Sequence, residues 1–435
     1  MARLEVRYDT GAQSQLVGHL ATIDRRIYFQ YDSEFRRRGV ELSPFHLPTS
    51  ITEPVEERER TFSGLHGLFN DSLPDGWGMI VMNRALRARG IDVRIITPVD
   101  RLAFVGTKGM GALTYHPPTE RGEDEQLAID LAKVAAQAER VLQGSAEALL
   151  PELVRAGGSP MGARPKIVVG VSTDYGNMIT GVADLPVGYR HWLIKFSARE
   201  DPKDVGAIEM AYADMARAAG IEMPPTHLFA GRDGRLHFGV ERFDRDLLHA
   251  ATRIHVQTLS GLLHADHAVP GQDYDDLLAA TRALTRDHRD VVQAFRRMVF
   301  NILAHNRDDH TKNFAYLMAS SGEWRLAPAY DVTLSFGPGG EHTMTVAGQG
   351  LAPTRAHVAA VAQRAGVPVK VVREIVGAVD DAVGDWPARA RRYHVSRSSM
   401  AMVQERLDAV RVAFNSAGDS PAVPRRGVRR PRGRP

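Results

Sequence analysis

The sequence contains no cysteine, which excludes disulfides, thiolate catalysis and cysteine-ligated zinc together. It has no apolar run near the ~18 residues that a membrane span requires. Its first ten residues, MARLEVRYDT, carry charges where an export signal needs an apolar core. The chain therefore reads as cytoplasmic, with no membrane partner. Acidic residues are missing from the last fifteen positions, PAVPRRGVRRPRGRP, which hold six arginines. Taking those six charges from the net +3 leaves the remainder at −3. The body is mildly acidic and the tail, 416–435, is basic and predicted to be disordered, because it has no apolar face to bury. Such a tail suits phosphate contacts as well as plain solvation.

What is present is the composition of a folded protein. Hydrophobic residues make up 43% and charged residues 25% of 435, enough for two or three domains. No internal repeat is visible. Residues 1–118 read as mixed α/β, with strand-like RRIYFQYD and GALTYH around a helical DGWGMIVMNRALRARG. The Ala- and charge-rich stretch from Glu120 to Gln143 predicts a linking helix. In HWLIKFSA, Trp192, Ile194 and Phe196 share one face of a strand while Leu193 and Lys195 share the other. Ile208, Tyr212, Met215 and Ala219 recur at helical spacing, with Gly220 placed as a C-terminal stop. RLHFGVERFDR alternates like a strand. From Thr258 to Phe414 the pattern is mostly helical, and Phe295, Met298, Val299, Ile302 and Leu303 form one apolar stripe. A strand-rich region, 119–255, thus precedes a helix-rich one, 256–415.

That stripe runs straight into HNRDDHTKN, His305 to Asn313. Taken singly, the polar pieces are ordinary: a glycine-rich turn at Gly158–Gly162, a strand lysine Lys195, a helix glutamate Glu209. Their order is not ordinary. Phosphoryl transfer from ATP needs glycines near the phosphates, a lysine to reach them, a glutamate to hold that lysine and a carboxylate facing the substrate hydroxyl. It also needs an amide and a second carboxylate for magnesium. Gly158–Gly162, Lys195, Glu209, Asp308, Asn313 and Asp331 appear in that order. Asn313 stands five positions after Asp308, the spacing of the protein-kinase pattern H-R-D-x-x-x-x-N. The Phe-Gly that usually follows the second metal aspartate is absent, since Asp331 sits in AYDVT, and the glycine loop is not G-x-G-x-x-G. A rival reading makes His305, Asp308, Asp309 and His310 a metal site; it accounts for neither Lys195 nor the glycine turn.

These motifs resemble the HipA-like serine/threonine kinases, the toxins of type II toxin–antitoxin pairs. LPDGWG at Leu73–Gly78 is similar to part of that family's N-terminal region, GSPMGARPK to its phosphate loop, WLIKFS to its lysine strand, VERFDR to its hinge, NRDDHTKN to its catalytic loop and PAYD to its metal aspartate. The resemblance implies an α+β, two-lobed protein-kinase-like fold of the HipA type, with an extra N-terminal subdomain on the strand-rich lobe. It implies Asp308 as catalytic base, and Asn313 and Asp331 as Mg2+ ligands. ATP would be held by Met161, Gly162, Ala163, Arg164, Pro165, Lys166, Lys195, Glu241, Arg242, Phe243, His310, Thr311, Lys312, Asn313, Tyr330 and Asp331, the backbone of Glu241–Phe243 meeting the adenine edge. Ser159 falls where the family carries an autophosphorylated serine. The implied partners are a HipB-like helix-turn-helix antitoxin, operator DNA reached through that complex, and a protein substrate, with an aminoacyl-tRNA synthetase as the candidate. The alternative is a catalytically silent, DNA-associated regulatory scaffold with the same fold. Trp77 and Phe69 read as packing residues, and Arg36–Arg38 as a solvated strand end.

Overall fold

The alternation of apolar and polar residues in RLEVRYD and RIYFQY buries Leu4, Val6, Ile27, Phe29 and Tyr31 on one face of a sheet. The computed structural model describes residues 3–119, 127–144, 153, 162, 164–180, 185–198, 200–245 and 252–416. The first sheet comprises β1 (Arg3–Asp9), β2 (Ser14–Ile23), β3 (Arg26–Tyr31), β4 (Val55–Glu56) and β5 (Leu113–His116), in the order β4-β3-β2-β1-β5. Every pairing in it is antiparallel. The β2–β3 hairpin turns through Asp24 and Arg25, both at positive φ, the backbone that a two-residue hairpin requires. Four helices cover the sheet: α1 (Ser33–Arg37), α2 (Gly67–Asn70), α3 (Gly76–Ala88) and α4 (Pro98–Val105). Arg36 and Arg37, read as a strand end, lie in α1 instead, because Asp32 accepts from the amides of Glu34 and Phe35 and starts a helix there.

The second sheet has the order β7-β6-β8-β10-β9: β6 (Lys166–Ser172), β7 (Met178–Ile179), β8 (Tyr189–Lys195), β9 (Thr226–Ala230) and β10 (Leu236–Glu241). One of its faces is packed by α5 (Leu131–Leu142), whose Val134, Ala138 and Val141 meet Ile167, Val169, Trp192 and Ile194. The helix expected over Glu120–Gln143 therefore begins only at Leu131. Leu127 and Ile129 pair with Thr180 and Met178 as extended chain, and Asp130 then caps the helix through the amides of Ala132 and Lys133. Trp77 and Val81 of α3 join the same core, which fastens the N-terminal unit to the small lobe.

On the other side runs α6 (Val205–Ala218), stopped by Gly220 at φ +79°. Gly206 lets it approach β10: a Cβ there would lie 2.5 Å from the Leu236 carbonyl oxygen. The remaining helices are α7 (Leu259–Leu263), α8 (Tyr274–Thr285), α9 (His288–Leu303), α10 (Arg355–Ala365), α11 (Val369–Gly384), α12 (Trp386–Arg392) and α13 (Arg397–Asn415). They share the largest core, centred on the buried stripe of α9. Within this helical lobe a small sheet, β11 (His255–Thr258), β12 (Ala315–Met318) and β13 (Trp324–Leu326), flanks the His305–Asn313 segment. Among the described residues no helix is long and apolar enough to cross a membrane.

Candidate active site

Between the second sheet and β11–β12 lies a cleft of about 930 Å³. Alternation along β8 decides what faces it: Leu193 and Lys195 line the cleft while Trp192 and Ile194 are buried in the core behind. The β6–β8 register sets Lys166 directly opposite Lys195, so both lysines face the same space. Val240 and Phe243 line one side, Val256, Tyr330 and Asp331 the other. Phe243 packs on Tyr330 with ring centroids 5.4 Å apart.

Lys195 is the electrostatic centre. Its Nζ donates to both Glu209 and Asp331, joining strand, helix and the post-β13 segment. Glu209 is buried on α6, where Ile208 and Tyr212 fix the helix against the core. Burial alone would raise the Asp331 carboxyl, but the charges of Lys195 and Lys166 outweigh it and hold it well below the ordinary range. Burial likewise works against Lys195, and Asp331 and Glu209 overcome it to keep the ammonium charged. Lys166 is almost fully enclosed, and burial lowers its pKa.

The segment after α9 is shaped by short-range bonds. His305 takes φ +52° and its carbonyl accepts from the Ser335 amide, while the Arg307 amide donates to the Ser335 carbonyl. The Asn313 side-chain amide donates to the Asp308 carbonyl at 2.6 Å and closes the loop. The two adjacent aspartates have opposite environments. Asp309 is fully buried and accepts from Tyr274 Oη (2.7 Å), His342 Nδ1 (2.7 Å) and the Thr343 amide (2.8 Å). Asp308 is 54% exposed, with His310 Nε2 at 3.6 Å. Asp308 is thus free to meet a substrate, and Asp309 anchors the loop. With both Asp309 oxygens engaged, and no group of three His, Asp or Glu ligands among the described residues, the four-residue metal reading has no geometry to rest on. Asn313 and Asp331 line one small cavity together; an amide oxygen beside a carboxylate is the donor chemistry magnesium prefers.

The other anticipated residues divide. Ser159, Met161 and Ala163 lie outside the described residues. Gly162 takes φ +101°, and the Asp75 carboxylate accepts from its amide. Arg164 turns away from the cleft and pairs with Asp201 at 2.8 Å; Pro165 precedes β6, its carbonyl accepting from the Phe196 amide at 2.8 Å. At the hinge, the amides of Glu241 and Arg242 already donate to the carbonyls of Pro225 and His191, so they are not available to an adenine edge. The Arg242 side chain is not available either: it forms a fork with buried Asp244, which also receives Arg245 and the Gly111 amide. His310, Thr311 and Lys312 are beside the cleft rather than among its walls. Lys312 gives its ammonium to Asp75 (2.9 Å) and its carbonyl to Tyr330 Oη (2.5 Å).

Two carboxylates of the N-terminal unit were not anticipated. Asp71 lines the cleft and accepts from the amide and hydroxyl of Thr258, each at 2.7 Å. Burial pushes its carboxyl up to about 6 against the pull of Thr258 and Lys312. Asp75 lies in LPDGWG, the motif noted only for its family likeness.

Comparison with known proteins agrees with this architecture. The family model for the HipA-like C-terminal domain matches residues 158–386 and that for the HipA N-terminal domain matches residues 8–116. Among solved structures, a chain of the HipA, HipB and operator DNA complex from the toxin–antitoxin system of Shewanella oneidensis MR-1 superposes with a TM-score of 0.68 at 16% identity, over 94% of this chain and 96% of that one. The Helicobacter pylori proinflammatory kinase CtkA gives a TM-score of only 0.31 at 12% identity, over 49% of this chain and 92% of that chain. The fold is the two-lobed α+β, kinase-like arrangement with its additional N-terminal unit, and with both domain models matched the chain belongs to the HipA family.

Proposed function

We propose that this protein is a serine/threonine-protein kinase, the toxin of a HipA–HipB-like toxin–antitoxin pair in the cytoplasm. It transfers the ATP γ-phosphate to a protein hydroxyl, on an aminoacyl-tRNA synthetase or a similar translation component, and to its own Ser159. Translation and growth then stop. The observation that carries the reading is an exposed Asp308, tied to Asn313, together with the Lys195–Glu209–Asp331 assembly, Asn313 and Asp331 lining one cavity.

In this mechanism the hydroxyl oxygen of the substrate attacks the γ-phosphorus, the bond to the β-bridging oxygen breaks, and ADP leaves. Asp308 takes the hydroxyl proton. Lys195 and Lys166 face the phosphates, and Glu209 keeps Lys195 from swinging into solvent. Leu193, Val240 and Phe243 pack the base. With the Glu241 and Arg242 amides engaged, adenine recognition at the hinge falls to the remaining backbone groups around Phe243. Asn313 and Asp331 would hold Mg2+, which supplies charge neutralisation at the phosphates. Phosphate on Ser159 adds about two negative charges to the glycine-rich turn and repels nucleotide. A helix-turn-helix antitoxin and, through it, operator DNA are the partners; this draws on the assembly named for the Shewanella structure.

The test is transfer of labelled phosphate from ATP with magnesium by wild type, Asp308→Asn and Ser159→Ala. Asp308→Asn is expected to lose at least ~10²-fold in rate, the worth of a positioned general base. Its melting temperature should be unchanged, since the side chain is exposed and, among the described residues, its only close ionic neighbour is His310. Full activity in Asp308→Asn overturns the reading.

A further inference from the structure

LPDGWG lies in the N-terminal unit, yet its side chains reach the two loops that would flank a bound triphosphate. Asp75 is the residue before α3, the usual place for a carboxylate that caps its own helix. Here it makes no such capping bond. One carboxylate oxygen accepts instead from the Gly162 amide in the glycine turn, and the other accepts from Lys312 Nζ at 2.9 Å in the catalytic-loop segment. His267 Nε2 stands 3.7 Å from the second oxygen. Trp77, two residues on, reinforces the first contact: its amide donates to the Gly162 carbonyl and its indole to the Lys166 carbonyl, both at 2.9 Å. Lys312 is itself fixed beside Asp331, because its carbonyl receives Tyr330 Oη.

Lys312 is 6% and Asp75 22% exposed at the side chain. An ammonium this enclosed needs a partner to remain charged and in place, and a bond between a carboxylate and an ammonium is stronger and more directional than a neutral one. The arrangement is a bridge: one carboxylate spans two loops from different parts of the chain.

Resting on the kinase reading above, we propose that Asp75 is a positioning residue for phosphotransfer, bridging Gly162 and Lys312 so that the glycine turn and the catalytic loop keep a fixed separation around the γ-phosphate. Asp75 touches no reacting atom. It acts through Lys312 and the turn, setting where the phosphate sits relative to Asp308. A bridge of this kind governs kcat more than the KM for ATP. The base-binding walls, Leu193, Val240 and Phe243, do not depend on it.

The experiment is steady-state phosphotransfer by the full chain with Mg-ATP, comparing wild type, Asp75→Asn, Lys312→Met and the double variant, with melting temperatures in parallel. Asp75→Asn is isosteric and can still accept from Gly162, so it removes the charge while sparing the turn. The expected result is a kcat at least tenfold lower with a KM for ATP within threefold, and a double variant no slower than Lys312→Met alone. Lys312→Met reaches the same bond from the other partner, so the cycle stands even if one single variant is less stable. Asp75→Asn with wild-type kcat, or penalties that multiply in the double variant, overturns the bridge and leaves Asp75 a structural residue of the α3 start. Wild type that transfers no phosphate overturns the kinase reading and the role with it, an outcome distinct from an active wild type with an indifferent Asp75.

Discussion

Replacing Lys195 with methionine removes the ammonium held between Glu209 and Asp331 and leaves two carboxylates facing each other in the cleft. Deleting one partner of a buried ion pair costs about 3–5 kcal/mol. Asp331 keeps 30% of its side chain exposed, so water relieves part of the penalty and the lower figure, about 3 kcal/mol, applies. If the roughly 250 residues of the two lobes unfold together, that is a fall of about 6–12 °C in melting temperature at neutral pH. The pH dependence tests the cause. In wild type the folded-state pKa of Asp331 lies below its ordinary 3.8, since Lys195 and Lys166 outweigh burial. Its stabilisation is complete at neutral pH and is lost only as pH falls below 3.8. In the variant the Lys195 charge no longer opposes burial, the folded pKa of Asp331 rises, and its protonation relieves the repulsion. The gap in melting temperature should therefore narrow as pH is lowered from 7 toward 4.5, read by differential scanning calorimetry. A gap that stays constant over that range would refute the electrostatic account.

Other perturbations probe the supports of the site. Gly337→Ala places a Cβ 2.1 Å from the Glu341 carbonyl oxygen and 2.8 Å from Arg307 Cβ at φ +67°. It should cost at least about 2 kcal/mol and slow phosphotransfer through the displaced Arg307–Asp308 backbone; an unchanged melting temperature would count against it. Asp71, with its carboxyl raised to about 6 from 3.8, binds its proton more tightly folded than unfolded. Wild-type stability should thus fall as pH rises from about 4 to 6, by up to roughly 3 kcal/mol. Asp71→Asn should lose that slope in melting scans; a variant with the wild-type pH profile would clear Asp71.

The catalytic loop was legible because its geometry is local. The apolar stripe of α9 predicts where the helix ends, and the five-residue step from Asp308 to Asn313 singles out two residues that a loop-closing bond joins. Strand alternation placed Lys195 in the cleft, and helical spacing fixed α6, on which Glu209 meets it. Asp71 and Asp75 were opaque for the opposite reason. Asp75 and Lys312 are 237 positions apart, and nothing in LPDGWG distinguishes a carboxylate that caps its own helix from one that reaches across a domain boundary. The hinge failed more subtly. VERFDR reads as a strand end, but its Arg242 finds Asp244 two positions on and the Gly109 carbonyl far upstream. The Arg242 side chain is held in a buried ion cluster, and the Glu241 and Arg242 amides expected at the adenine edge donate within the protein. Arg164, which the family likeness alone put at the phosphates, pairs with Asp201.

These long-range ties change what the N-terminal unit is. Gly111 bonds Asp244 at the hinge, Asp71 bonds Thr258 at the head of the large lobe, and Asp75 bonds Gly162 and Lys312 on either side of the cleft. Trp77 and Val81 add apolar contact with the small-lobe core. Hydrogen bonds to charged groups in such settings contribute about 1.5–3 kcal/mol each, so the unit cannot separate from the lobes without a cost comparable to a large part of a domain's stability. Its contacts fall on both lobes, so any rotation of one lobe against the other must strain or break some of them. A force applied to α3 from outside is therefore transmitted to Gly162 and Lys312 by direct bonds, without a ligand entering the cleft.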